Sequence, residues 1–222
     1  MKKYTIGLML LAGLLAVCSL VMGEALSGDE VPKAQLPVLT TSAGQSSDVM
    51  TLNIVFEEAG IGFDYCDVPT VEIISDGVGL GGIEGGEGFH VESYTDTETY
   101  AAGTPFKTMV VAIGASLKGM GASGLTVDTE AARLKAVIEH CKKNGIYIIA
   151  VHVGGTSTRG APGSDNERMI DAVAPFADYL IATADSNKDN RFSDIAKEKG
   201  VPFTQVDYAL ELVDIFKQIF SE

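Results

Sequence analysis

From Leu36 onward the chain alternates short apolar runs with longer amphipathic stretches, and this alternation constrains its fold more than any other feature. "LPVLTT" (36–41) reads as a strand, and "SSDVMTLNIVFEEAG" (46–60) as a helix. In that helix Ser46 or Ser47 is the cap, Leu52, Val55, Phe56 and Ala59 form the buried stripe, and Gly60 is the stop. "GFDYCDV" (62–68), "MVVAI" (109–113), "IYIIAV" (146–151) and "DYLIAT" (178–183) read as further strands, and "PFTQV" (202–206) as an edge strand. Between them, "TVDTEAARLKAVIEHCKKNG" (126–145) is the best-marked helix. Thr126 can cap it, Asp128 and Glu130 lie near its positive end, and Lys142 and Lys143 near its negative end. "SDNERMIDAVAPFA" (164–177) opens with Ser164 and Glu167 at capping-box spacing. "FSDIAKEKG" (192–200) and "ALELVDIFKQIF" (209–220) complete the helices.

Apolar runs that lack a polar face are strands buried on both sides, which is the mark of a parallel sheet between two helical layers. Right-handed crossovers then leave a three-layer, doubly wound α/β sandwich, Rossmann-like or flavodoxin-like. The expected organisation is a single α/β domain over 36–222 with a polar leader over 24–35. The stretch 69–106 breaks the pattern: "SDGVGLGGIEGGEGF" holds seven glycines between Asp76 and Gly88. From Gln35 to Pro105 there are twelve acids and no Lys or Arg. With "VEIIS" and "FHVESY" pairing as a hairpin, this stretch reads as an inserted, glycine-rich acidic flap or as a plain disordered insertion.

Residues 1–23 read as an export signal: Lys2 and Lys3, then the uncharged apolar run Thr5–Gly23. Cleavage before Glu24 or Leu26 is favoured over a retained anchor or a lipid anchor at Cys18, where Val17 fits poorly. Every version places the domain outside the cytoplasmic membrane: periplasmic, secreted or on the outer face, with no span in the mature domain. Cleavage removes two lysines and no acid, taking the formal charge from −14 to −16. Such a surface repels nucleic acid and anionic lipid, so neither is expected as a partner. Cys66 and Cys141 are expected as buried thiols, since two cysteines make no disulfide framework.

The motifs that carry familiar chemistry fail on detail. "GASLKGMGASG" (114–124) is no Walker loop, because Lys118 precedes Gly119 and Met follows. "GMGASG" fits G-x-G-x-x-G but starts too far from the strand end for a dinucleotide loop. "GASLK" puts Lys118 where a nucleophile elbow needs Gly. "DSNKDNRF" begins like a calcium loop but has Asn190 at position six and Ala196 at position twelve. The three histidines have no metal-ligand spacing. No metal and no cofactor is called for.

The loops that leave the carboxyl ends of parallel strands share one edge, where ligands bind in such folds. Here they are "SAGQSSD" (42–48), "GASLKGMGASG", "HVGGTSTRGAPGSD" (152–165) and "ADSNKDN" (184–190). The first three combine Gly, Ser and Thr with helix N-termini, which favour an anion by about 0.3–1 kcal/mol. The expected ligand is therefore a small anionic or polar molecule. Ser42, Gln45 and Ser46 would bond to it, Ser116 and Lys118 would add a hydroxyl and a charge, His152 would line the wall, and Arg159 would clamp it. Two alternatives stay open. One is a hydrolase or transferase using Ser116 or His152. The other is a surface protein that captures a partner through its acidic flap. Oligomeric state is not legible.

The phrases "LPVLTTSAGQSSD", "GASLKGMGASG", "GGTSTRG" followed by "SD", and "ADYLIATADSNKDNRFSDIA" resemble, in combination, an exported prokaryotic family, domain of unknown function 6305. The resemblance covers about 36–206, interrupted by the glycine-rich stretch. It implies an exported α/β domain and no particular chemistry.

Overall fold

The structure is a computed structural model that describes residues 27–28 and 30–221. The expected export signal lies outside the described residues. Six strands run parallel: β2 (Val38–Ala43), β3 (Asp64–Cys66), β5 (Thr108–Ile113), β6 (Tyr147–His152), β7 (Tyr179–Thr183) and β8 (Phe203–Val206). Two short antiparallel strands, β1 (Ser27–Gly28) and β4 (Val91–Ser93), finish the edges. The sheet order is β1-β8-β7-β6-β5-β2-β3-β4. Numbered by appearance, the parallel strands run 2-1-3-4-5-6, the flavodoxin-type doubly wound order. The order reverses between β2 and β5, which pair along their whole length from Val38–Thr108 to Ala43–Ile113.

Strand side chains alternate between two cores. Val110, Ala112, Ile149 and Val151 face α1 (Asp48–Ala59) and α7 (Leu212–Ile219), where Phe56 and Phe216 lie 4.6 Å apart between ring centroids. Met109, Val111, Ile113, Ile148 and Ala150 face α2 (Val71–Asp76), α4 (Val127–Asn144), α5 (Asp165–Val173) and α6 (Arg191–Lys199). Each fully buried Leu, Ile, Val or Phe stabilises the fold by roughly 1.5–3 kcal/mol relative to exposure. Helix α4 is built as expected: Thr126 and Thr129 exchange cap bonds, and Gly145 ends the helix in the left-handed region at φ 69°. Cys66 and Cys141 are free and buried, and burial pushes each thiol up to about 12.

Five expectations change. In the expected polar leader 24–35, the described residues join the domain: β1 pairs with β8, and the Ala34 amide donates to the Ile219 carbonyl at 3.0 Å. "VEIIS" is helix, not strand, because the Thr70 hydroxyl accepts from the Ile73 amide and starts α2. β4 pairs with β3 instead, so 69–106 is no separate insert; Ile73, Ile74, Val78, Leu80 and Phe106 belong to the main core. Within it, 81–87 is exposed throughout. "LKGMGA" forms a short helix, α3 (Leu117–Ala122), capped by Ser116, whose hydroxyl accepts from the Gly119 amide. Ser164 makes no cap bond, and the Glu167 carboxylate of the expected capping box accepts from Arg159 instead.

Candidate functional site

The reversal of strand order leaves a crevice outside the carboxyl ends of β2 and β5, as such sheets do. The loops after these strands are fastened to each other. The Gly114 amide donates to the Ala43 carbonyl at 2.9 Å, and the Ser116 amide to the Gly44 carbonyl at 2.7 Å. Gly44 has φ 89°, and a Cβ there would stand 2.6 Å from the Gly114 carbonyl oxygen, so only glycine fits. Its amide donates at 2.9 Å to Oε1 of Glu130, a fully buried acid on α4 that is paired with Arg133 at 2.7 Å. Arg133 in turn donates to the Ser42 and Pro69 carbonyls, tying α4 to the first loop.

These loops open into a cavity of about 640 Å³. Five of the seven expected residues line it: Ser42, Gln45 and Ser46 from the first loop, Ser116 and Lys118 from the second. Ser42 is fully buried, and its hydroxyl has no hydrogen-bond partner. Gln45 adopts φ 57° and donates from Nε2 to the Asp67 carbonyl at 2.8 Å, joining the β2 loop to the β3 loop. Ser116 spends its hydroxyl on the cap of α3, and Lys118 is exposed.

The other two residues are placed elsewhere. His152 is fully buried. Its Nε2 lies 3.1 Å from the Thr158 carbonyl, which can only accept, so Nε2 carries the proton. Nδ1 then accepts from the Ser186 hydroxyl at 2.7 Å. Burial holds the imidazole neutral and lowers its pKa to about 4. Arg159 clamps no ligand, because protein acids already saturate it. It donates to Glu167 at 2.7 Å and to Asp189 at 2.7 Å, and also to the Ser186 carbonyl. The Arg159 hydrogen bonds hold the Asp189 carboxyl down at about 2. This network fastens the β6 loop to α5 and to the start of α6. In the 184–190 loop, Asp185 pairs with Lys188, and Asn187 accepts from the Phe192 amide ahead of α6.

The cavity also takes residues the sequence reading passed over. Asp48, the first residue of α1, leans across the strand ends. The point where a Gly154 Cβ would sit is 2.5 Å from Asp48 Oδ2 and 2.1 Å from Thr158 Oγ1. Asp48 Oδ2 has no partner, and burial raises the pKa of this carboxyl. Asp67, at the end of β3, accepts from the His90 amide at 2.9 Å, and burial raises its pKa too. Tyr65, Phe89 and His90 complete that wall, with Tyr65 and His90 rings 5.7 Å apart and His90 on Glu92 at 2.8 Å. Asp48 carried a visible signal in its place beside Ser46 and Ser47. The contribution of 86–90 depends on β4 pairing with β3 and left none.

Fold and cavity together define a flavodoxin-type α/β domain with a polar crevice at its switch point. The chain belongs to the family domain of unknown function 6305, which matches residues 35–220 and so runs through the glycine-rich stretch. No curated protein matches the chain. Two crystal structures are similar in architecture. One, a candidate acylhydrolase from Bacteroides fragilis, is 14% identical with a TM-score of 0.32, covering 79% of this chain and 71% of that one. The other, pyridoxal kinase from Entamoeba histolytica, is 14% identical with a TM-score of 0.35, covering 78% of this chain and 62% of that one. Among the described residues, no helix is long and apolar enough to cross a membrane.

Proposed function

We propose that this domain is a binding module, working outside the cytoplasmic membrane, that holds a small polar molecule in the switch-point cavity. One observation carries the reading: Ser42, Gln45, Ser46, Ser116 and Lys118, from two separate loops, line one cavity in which a fully buried Ser42 hydroxyl has no protein partner. A buried polar group left unsatisfied costs about 1–3 kcal/mol, and a ligand that bonds to it recovers that cost. The volume of about 640 Å³ suits a metabolite-sized guest. With Arg159 committed to Glu167 and Asp189, support for an anion falls to Lys118 alone. Nothing favours turnover: the Ser116 hydroxyl bonds to the Gly119 amide rather than to a base, and His152 is enclosed.

The test is a thermal-shift screen of small polar metabolites on the full chain. At about 100 times Kd a ligand adds about 2.7 kcal/mol, a rise in Tm of roughly 5–10 °C. Ser42→Ala combined with Lys118→Ala should shrink that rise. A panel that leaves the melt unmoved, or a shift that survives both substitutions, overturns the reading.

A further inference from the structure

We infer that the ligand presents a protonated amine to Asp48, so that the cavity selects small organic cations; this rests on the binding reading above. The argument begins with charge placement. From Gln35 to Pro105 the sequence has twelve acids and no Lys or Arg, and this stretch supplies the β2-loop, β3 and 86–90 walls of the cavity. Asp48 and Asp67 both line it, and no Lys or Arg is paired with either among the described residues. The one lysine on the lining, Lys118, belongs to the α3 side and is exposed. His90 is engaged with Glu92. Two carboxyls therefore face one ammonium, inside a chain of formal charge −14.

The second observation is independent of the acids. Ser42 is fully buried on the same lining with an unpartnered hydroxyl. The two carboxyls are also unequal. Asp67 is bonded by the His90 amide, whereas Asp48 keeps Oδ2 without a donor. An ammonium has three N–H donors and no acceptor, which is the complement of an orphaned carboxylate and an unpartnered serine oxygen on one lining. Burial raises the carboxyl pKa of Asp48, with the Ser46 hydroxyl lowering it in part, and an incoming amine would supply a compensating cation. Lys118 across the cavity can hold an acid group if the guest carries one as well. Glu84 and Glu87 are exposed and close in sequence to the lining residues Gly86 and Gly88, and their charge favours cation approach.

The experiment compares three probes on the full chain at matched ionic strength: spermidine for an amine, succinate for an acid and erythritol for a neutral polyol. Spermidine should raise Tm in the wild type, and Asp48→Asn should weaken its binding by about ten- to a hundred-fold. The same substitution should leave the melt of the empty protein equal or higher, which confirms folding. Equal stabilisation of wild type and Asp48→Asn by spermidine means general screening, and it overturns the inference. If succinate or erythritol stabilises through Ser42 and Lys118 while spermidine does not, the amine fails and the binding reading stands. If no probe shifts the melt, the inference is overturned, and the wider metabolite screen decides the binding reading separately.

Discussion

His152 is the residue whose chemistry is most altered by where the fold puts it. A histidine at a strand end invites a catalytic reading, yet both ring nitrogens are occupied and the ring is fully buried. Its pKa falls from 6.5 to about 4 because burial disfavours the cation. An unfolded chain therefore takes up a proton on this ring below pH 6.5, and the folded chain does not until about pH 4. Stability contributed by the neutral ring is present above pH 6.5 and is lost on acidification across that window. The loss is on the order of 3 kcal/mol. Denaturant melts from pH 7 to pH 4, with NMR titration of the imidazole, check it; a midpoint near the ordinary histidine value would sink the assignment.

Among the elements, the two loops of the cavity depend on a single close approach. Gly44→Ala would drive a methyl into the Gly114 carbonyl at a backbone angle that L-residues rarely adopt. The expected cost is about 2 kcal/mol or more, with loss of ligand effects. Gly121→Ala is the control. It lies in α3 with nothing within 4 Å, so alanine should be neutral or stabilise by about 0.5–1 kcal/mol. Urea melts of both variants decide the point, and equal costs would refute it. The same contrast explains what could be read in advance. α4 was legible because cap, stripe and terminal charges agree over 18 residues. α2 spans 6 residues, too few for a helical period, and its β-branched Val71, Ile73 and Ile74 favour a strand reading. Only Thr70 hinted otherwise. α3 was hidden by Gly119 and Gly121. The common edge was legible from strand alternation, and so five lining residues were placed together. The pairing of Arg159 with Glu167 and Asp189 was not, because it depends on the tertiary approach of α5 and α6. Arg159 on a glycine-rich loop looks the same in sequence whether it awaits a ligand or is already bound.

For the molecule as a whole, acids outnumber bases by 30 to 16, and the stretch 35–105, which supplies Asp48 and Asp67 to the cavity, holds twelve acids and no Lys or Arg. Glu84 and Glu87 are exposed, and Glu87 stands in sequence between the lining residues Gly86 and Gly88. Glu84→Gln with Glu87→Gln should leave stability within about 0.5 kcal/mol. It should slow association of a cationic probe and flatten the dependence of that rate on salt. Stopped-flow binding of spermidine at low and high NaCl measures this. An unchanged salt slope would remove these glutamates from the steering field.

The floor of the crevice is made by core strands and their interlocked loops, whereas one wall is Gly86, Gly88, Phe89 and His90, at the end of the exposed run 81–87. Selection therefore acts on two materials with different tolerances. Lengthening, shortening or recolouring that outer run would redraw the outline of what is admitted while the hydrophobic layers beneath stay as they are. If the cavity binds a guest as proposed, a change confined to that outer run would alter what it admits without asking the fold to be rebuilt.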